Sequence, residues 1–153
     1  SQKQDVYLVD AINRKDLNAI EQNRNALLNY ATAGLEDLKS LDPFEWDGSL
    51  IIACRKALLF YKEMSESKIN IVSDYLLAEE NFNKTKKAFN AIPAAKRTQA
   101  DVDGYNKAVN DYNSAGKAYN KNNDEVNGGR IDATNSWNSA VAKFMDAHMP
   151  YRK

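Results

Sequence analysis

From Asp101 to His148 the chain carries a continuous heptad-like seam. Its positions are Val102, Tyr105, Val109, Tyr112, Gly116, Tyr119, Asn123, Val126, Arg130, Ala133, Trp137, Val141, Phe144 and His148. Steps of three and four alternate along it, the spacing that lays one side of a helix along other helices. Inside the seam the dipeptide Tyr-Asn recurs every seven residues, at Tyr105-Asn106, Tyr112-Asn113 and Tyr119-Asn120. The pattern predicts one long helix packed by two others.

The rest of the chain supplies those two. Asp5 suits an N-cap, and Val6, Val9, Ile12, Leu17, Ile20, Leu27, Ala31, Leu35, Leu38 and Leu41 follow as one helical stripe, imperfect at Asn13 and Arg24. In Asp42-Pro43-Phe44-Glu45, Asp42 suits an N-cap, Pro43 the first helical position and Glu45 the third. Alternatively Ser49 re-caps the helix and Pro43 to Asp47 form a short turn. The next stripe runs from Leu50 through Cys54, Ala57, Tyr61, Met64, Lys68, Ile71, Tyr75, Ala78, Phe82, Thr85 and Phe89 to Ile92. Its phase survives Ser65 and Ser67, so one helix with a kink is expected there. Pro93 ends it, and Thr98 with Asp101 caps the long helix. Gly128-Gly129 costs that helix about 2 kcal/mol relative to alanine, yet the seam stays in register across the pair. The expected fold is all-α and a single domain over 1–153: an elongated antiparallel three-helix bundle of about 5–41, 43–92 and 98–148. A break near 65–67 or 128–129 would make it a four-helix bundle.

Counting outward from the turn at Pro93 sets Tyr105 near Thr85, Tyr112 near Ala78, Tyr119 near Ile71 and Trp137 near Cys54. His148 falls near Phe44 and Trp46. The first helix reaches only to about Leu77–Phe82, so a two-helix tip should project beyond it and expose Phe82, Phe89 and Ile92.

Charge and chemistry exclude more than they assign. The 21 basic and 21 acidic side chains balance, which argues against bulk attraction to nucleic acid or an anionic membrane. A mean hydropathy of −0.65 and the lack of a long apolar run argue against a spanning helix. Cys54 is the only cysteine and His148 the only histidine. No intrachain disulfide or cysteine-based zinc cluster can form, and the Glu-x-x-His pairs of helical di-iron sites are missing. Neighbouring carboxylates such as Glu79-Glu80 point in different directions on a helix. No catalytic residue, metal ligand or cofactor is expected.

Two groups stand out as candidate contact residues. Tyr61, Tyr75, Tyr112, Tyr119 and Trp137 lie on the seams; they suit packing first and a tyrosine-lined pocket for a small ligand second. Lys84, Lys86, Lys87, Lys96 and Arg97 are five basic residues with no acidic residue between Glu80 and Asp101. They gather on the tip, where they suit the helix dipole or a contact site for an acidic partner, lipid headgroups or nucleic acid, the last weakly for want of interleaved exposed aromatics.

The stretch Asp47-Gly48-Ser49-Leu50, with Ala57 and Phe60-Tyr61-Lys62, resembles an uncharacterised family of helical bacterial surface proteins and lipoproteins of the spirochaete and Bacteroidetes type. The resemblance covers the first helix through Met64. It implies a place outside the cytoplasm, in the periplasm or at the cell surface, and carries over no catalytic residue. The chain starts at Ser1, as in a mature or trimmed form, so a signal peptide or lipid anchor would lie upstream. The expected role is a non-enzymatic scaffold or protein-interaction module with a protein partner or a second copy, and membrane contact only through such an anchor. A small-ligand-binding bundle and an oligomeric coiled coil are the alternatives.

Overall fold

The computed structural model describes residues 2–149. Helix α1 (Gln2–Asn13) is followed by α2 (Leu17–Asp37), α3 (Ser49–Glu63), α4 (Ile69–Ala91) and α5 (Gln99–His148). Among the described residues there is no β-strand, so the all-α class holds. Helices α3 and α4 are one rod, joined by a single π-helical turn, Met64–Lys68. Helix α5 runs unbroken through Gly128-Gly129. The result is four helical rods rather than three.

The additional break lies in neither expected place. It falls at Arg14–Asp16, inside the stretch expected as one helix over 5–41. Lys15 takes φ 54° and its N–H bonds the Ile12 carbonyl at 2.9 Å; Asp16 N–H reaches back to Ala11 at 3.1 Å. That is a Schellman ending with a lysine where glycine is usual. Asp16 then caps α2, its Oδ1 accepting the Ala19 N–H at 3.0 Å. Asp5 is therefore not an N-cap. It sits within α1, buried, and its carboxylate takes two hydrogen bonds from Arg130 of α5, both 2.8 Å.

Contacts along the rods set their directions. Lys15 pairs with Glu79 at 2.5 Å, Arg24 reaches Ser65, and Gly34 meets Leu58, so α2 runs antiparallel to the α3–α4 rod. Helix α1 doubles back along α2, from Arg130 at its start to the Glu79 level at its end. The expected limit near Leu77–Phe82 is thus met at residue 15, not residue 5. The core is thickest where all four rods meet. Leu8, Ala11, Ile20, Leu27, Met64, Ile69, Val72 and Val126 are buried there in one cluster.

The π turn sits inside that core. Ile69 N–H bonds the Met64 carbonyl, five residues back. A wide turn leaves carbonyls without helical partners, and neighbouring helices take them. Arg24 of α2 donates to the Ser65 carbonyl at 3.2 Å, and Asn122 of α5 donates to the Lys68 carbonyl at 3.0 Å. Arg24 is braced by Glu21, and the hydrogen bond it donates draws the Glu21 carboxyl below its usual range.

The α3–α4 rod starts later than the Asp42-Pro43 pattern suggests. Residues 41–48 form a connection and α3 begins at Ser49, whose N–H is taken by Asp47 Oδ1 at 2.8 Å. This is the alternative in which Pro43 to Asp47 form a turn. Thr98 and Asp101 form a complete capping box at the start of α5, as expected.

The two glycines of α5 differ in kind. A Cβ at Gly129 would come within 2.4 Å of the Phe60 ring, whereas one at Gly128 would meet nothing within 4 Å. Gly129 lets α3 and α5 approach; Gly128 does not. Gly128→Ala should stabilise the protein by about 0.5–1 kcal/mol through helix propensity. Gly129→Ala should destabilise it by about 1–3 kcal/mol through overpacking. Paired chemical denaturation curves check both signs.

Candidate functional site

Beyond Glu79 only α4 and α5 remain, and aromatic rings hold them together. Tyr75, Phe82 and Phe89 recur every seven residues on α4, as Tyr105, Tyr112 and Tyr119 do on α5. The two rows interleave. Ring centroids are 4.7 Å apart for Tyr119–Tyr75, 5.8 Å for Tyr75–Tyr112 and 5.1 Å for Tyr112–Phe82. The ladder continues at 6.2 Å for Phe82–Tyr105 and 4.7 Å for Tyr105–Phe89. Arg97 closes it, its guanidinium 4.3 Å from the Phe89 ring. Each contact contributes roughly 0.5–1.5 kcal/mol beyond area burial. Tyr105 thus lies between Phe82 and Phe89 and Tyr112 between Tyr75 and Phe82, within half a turn of the counted register.

Phe82, Phe89 and Ile92 are consequently half-buried rather than exposed, a correction to the bare apolar tip expected from the seam. Tyr75 and Tyr112 share a hydrogen bond between hydroxyls at 3.3 Å. That bond first, and burial second, push the Tyr75 hydroxyl up to about 12.

The five seam aromatics do not form one pocket. Tyr75, Tyr112 and Tyr119 belong to the ladder, while Tyr61 and Trp137 line a separate groove between α3 and α5. That groove holds about 240 Å³, with Cys54, Ala57, Leu58 and Ala133 in its walls. Cys54 is half-buried there, and burial pushes its thiol up. Trp137 and Cys54 line the same groove, as the register predicts.

The basic tip is partly occupied by its own surroundings. Lys84 pairs with Glu80 at 2.7 Å, Lys86 lies 5.7 Å from the Phe82 ring centre, and Arg97 also bonds the Ile92 carbonyl at 3.1 Å. Lys87 and Lys96 are exposed, without an ion-pair partner among the described residues. Between α4 and α5 at this tip, Ala88, Phe89, Ile92, Gly104 and Tyr105 border an open groove of about 220 Å³, whose one charged lining residue is Asp101.

The opposite end carries a feature that residue spacing left unassigned. Asp47 N–H bonds the Phe44 carbonyl at 2.8 Å, and the two residues between, Glu45 and Trp46, have φ 46° and 70°. Two positive φ values in succession belong to a type I′ turn, which normally takes asparagine and glycine. Neither glutamate nor tryptophan adopts them cheaply; each costs about 1–2 kcal/mol. The turn is gripped by His148, whose Nε2 lies 3.0 Å from Asp47 and Nδ1 3.3 Å from Glu45, with Phe44 and Phe144 packed on the imidazole. Trp46 at its apex is 99% exposed.

The clamp favours the charged imidazole. His148 is raised above its ordinary 6.5, first by its hydrogen bond to Asp47, against an opposing desolvation, and then by Glu45. Asp47 is held down at about 2, first by neighbouring Ser49, whose backbone N–H donates to its carboxylate, then by His148. Cys54, in the Trp137 groove, is no part of it.

Among the described residues no group of three or more His, Cys, Asp or Glu side chains is placed to hold a metal ion, and no helix is long and apolar enough to cross a membrane. No known protein family, curated protein or solved structure matches the chain.

Two titrations follow. A raised Tyr75 adds stability that is full below about 10 and is lost as pH rises toward about 12. Ultraviolet titration should show one tyrosine near that value, and Tyr112→Phe should return it toward 10. The raised His148 adds stability that is full below about 6.5 and is lost as pH rises through its folded value. The lowered Asp47 adds stability present above about 3.8 and lost as pH falls toward 2. The melting temperature should therefore decline as pH rises above about 6.5, and His148→Gln should remove that decline.

Proposed function

We propose that the chain is a non-enzymatic scaffold or protein-interaction module, a stiff helical rod that offers a different contact surface at each end. Trp46 carries the reading. A large apolar side chain, 99% exposed on a backbone with two left-handed residues, is the feature that folding alone does not explain. Strain of that kind persists where a side chain must be held out for recognition. A place outside the cytoplasm belongs to the same proposal and comes from the family resemblance alone.

A second reading has its own observation. The groove lined by Tyr61 and Trp137 offers mainly apolar walls with Thr134 and Asn138 as polar groups, the make-up of a site for a small apolar molecule.

Native mass spectrometry of protein purified from its own source separates them. A protein partner or an integer multiple of 17.2 kDa supports the scaffold. A discrete small added mass that Ala133→Trp removes supports the ligand site. A turnover that His148→Ala abolishes without loss of fold would overturn both.

A further inference from the structure

Both ring nitrogens of His148 face a carboxylate, Nε2 toward Asp47 at 3.0 Å and Nδ1 toward Glu45 at 3.3 Å. An imidazolium can donate to both. A neutral imidazole carries one N–H and can donate to only one. Among the described residues these two carboxylates are the charged groups that bear on the ring. Its other neighbours are Phe44 from the connection and Phe144 from α5, neither of which titrates. The two acids are not equivalent. The Asp47 side chain is 27% exposed against 70% for Glu45, and its other oxygen accepts the Ser49 N–H at 2.8 Å. Glu45 makes no other side-chain hydrogen bond or ion pair among the described residues. A neutral His148 therefore keeps its proton on Nε2 for Asp47 and turns a lone pair toward Glu45.

Glu45 is also a residue that the backbone holds under strain. It stands at φ 46° and Trp46 at 70°, side by side in a turn closed by the Phe44 carbonyl and the Asp47 N–H at 2.8 Å. A type I turn closes with the same hydrogen bond but takes negative φ at both central positions, which suits glutamate and tryptophan. The left-handed turn and its mirror image thus compete, and the Nδ1–Glu45 contact weighs on one side. We infer that His148 is a proton-operated latch on the Trp46 turn. Protonated, it holds Glu45 and Trp46 left-handed; neutral, it releases Glu45, and the turn passes to its type I form and re-aims the indole. Asp47 stays bound to the Ser49 N–H throughout, so the change is confined to the turn and α3 keeps its start. The raised His148 sets the direction: the latch is closed below about 6.5 and opens as pH rises through the folded value. The inference rests on the scaffold reading and names how its Trp46 surface is regulated.

Carbon–proton NMR correlations test it. Cα–Hα and imidazole Cε1–H groups hold no exchangeable proton, so both can be followed from about pH 5 to about pH 9, where histidine titrates and ordinary carboxylates do not. His148 is the only histidine, so one ring signal reports the proton. In the wild type the Glu45 and Trp46 Cα signals should move with the same midpoint as that ring, toward values of negative φ, while Ser49 stays still. Glu45→Gln, at an exposed position, is the deciding variant. Its amide can accept from an Nδ1–H and can donate to a bare Nδ1. It should therefore hold the turn at both extremes and abolish the movement at Trp46, with the ring titrating at lower pH because one carboxylate is gone. A wild-type ring that titrates while Glu45 and Trp46 stay still, or a Glu45→Gln protein whose Trp46 moves as the wild type does, would each overturn the inference. Still signals in a protein that binds a partner through Trp46 equally on both sides of the titration would remove the latch and leave the scaffold. A turn that follows the proton, in a protein for which native mass spectrometry finds neither partner nor second copy, would remove the scaffold reading and leave the latch.

Discussion

A fifty-residue helix with an apolar seam has to be covered along its whole length, and the rest of the chain is arranged by that demand. Three different solutions follow one another along α5. At the tip a single partner helix suffices, because aromatic side chains supply large stacked area from two facing rows. In the middle α1 and α2 join α4, and the fully buried residues concentrate there. Toward His148 helix α1 has ended, and the α3–α5 groove is left with Trp137 and Tyr61 in its wall.

The middle section is also where polar groups are most deeply committed. A π turn inserts one residue into a helix and frees carbonyls that an apolar core cannot satisfy. Arg24 and Asn122 reach them from the two flanking helices, so the irregularity fastens three rods instead of loosening one. The Asp5–Arg130 pair fastens the fourth. Such a paired, largely buried charge adds little net stability over an apolar pair, but removing one partner strands the other. Its effect is to define where α1 lies.

The two ends are built on different physics. The tip is tied by ring stacking and closed by a guanidinium over a ring, which leaves basic groups at its edge. The far end is tied by a histidine between two carboxylates, which holds a strained turn and leaves an indole in water. The clamp opposes that strain, and its hydrogen bonds favour the protonated form of one side chain.

The all-α class, the length of α5, its passage through Gly128-Gly129, the Thr98–Asp101 cap and the register between α4 and α5 were all legible in residue spacing. Helical periodicity is local, and a seam that keeps phase reports which side is covered. The hairpin of α1 and α2 was half-legible: the five-residue step from Ile12 to Leu17, across Asn13 to Asp16, marks a break in phase. It escapes notice because Lys15 takes the left-handed position usually signalled by glycine. The sharing-out of the seam aromatics between a ladder and a groove, and the partner of Asp5, depend on which rods lie side by side. The sequence by itself therefore determined the helices, their ends in most cases and the pairing of the two longest, because those follow from spacing within about two turns. Only the tertiary structure decided the place of α1 and the left-handed turn at Glu45-Trp46. Both are held by residues more than a hundred positions away, Arg130 and His148, whose contacts outweigh the local preference of the backbone.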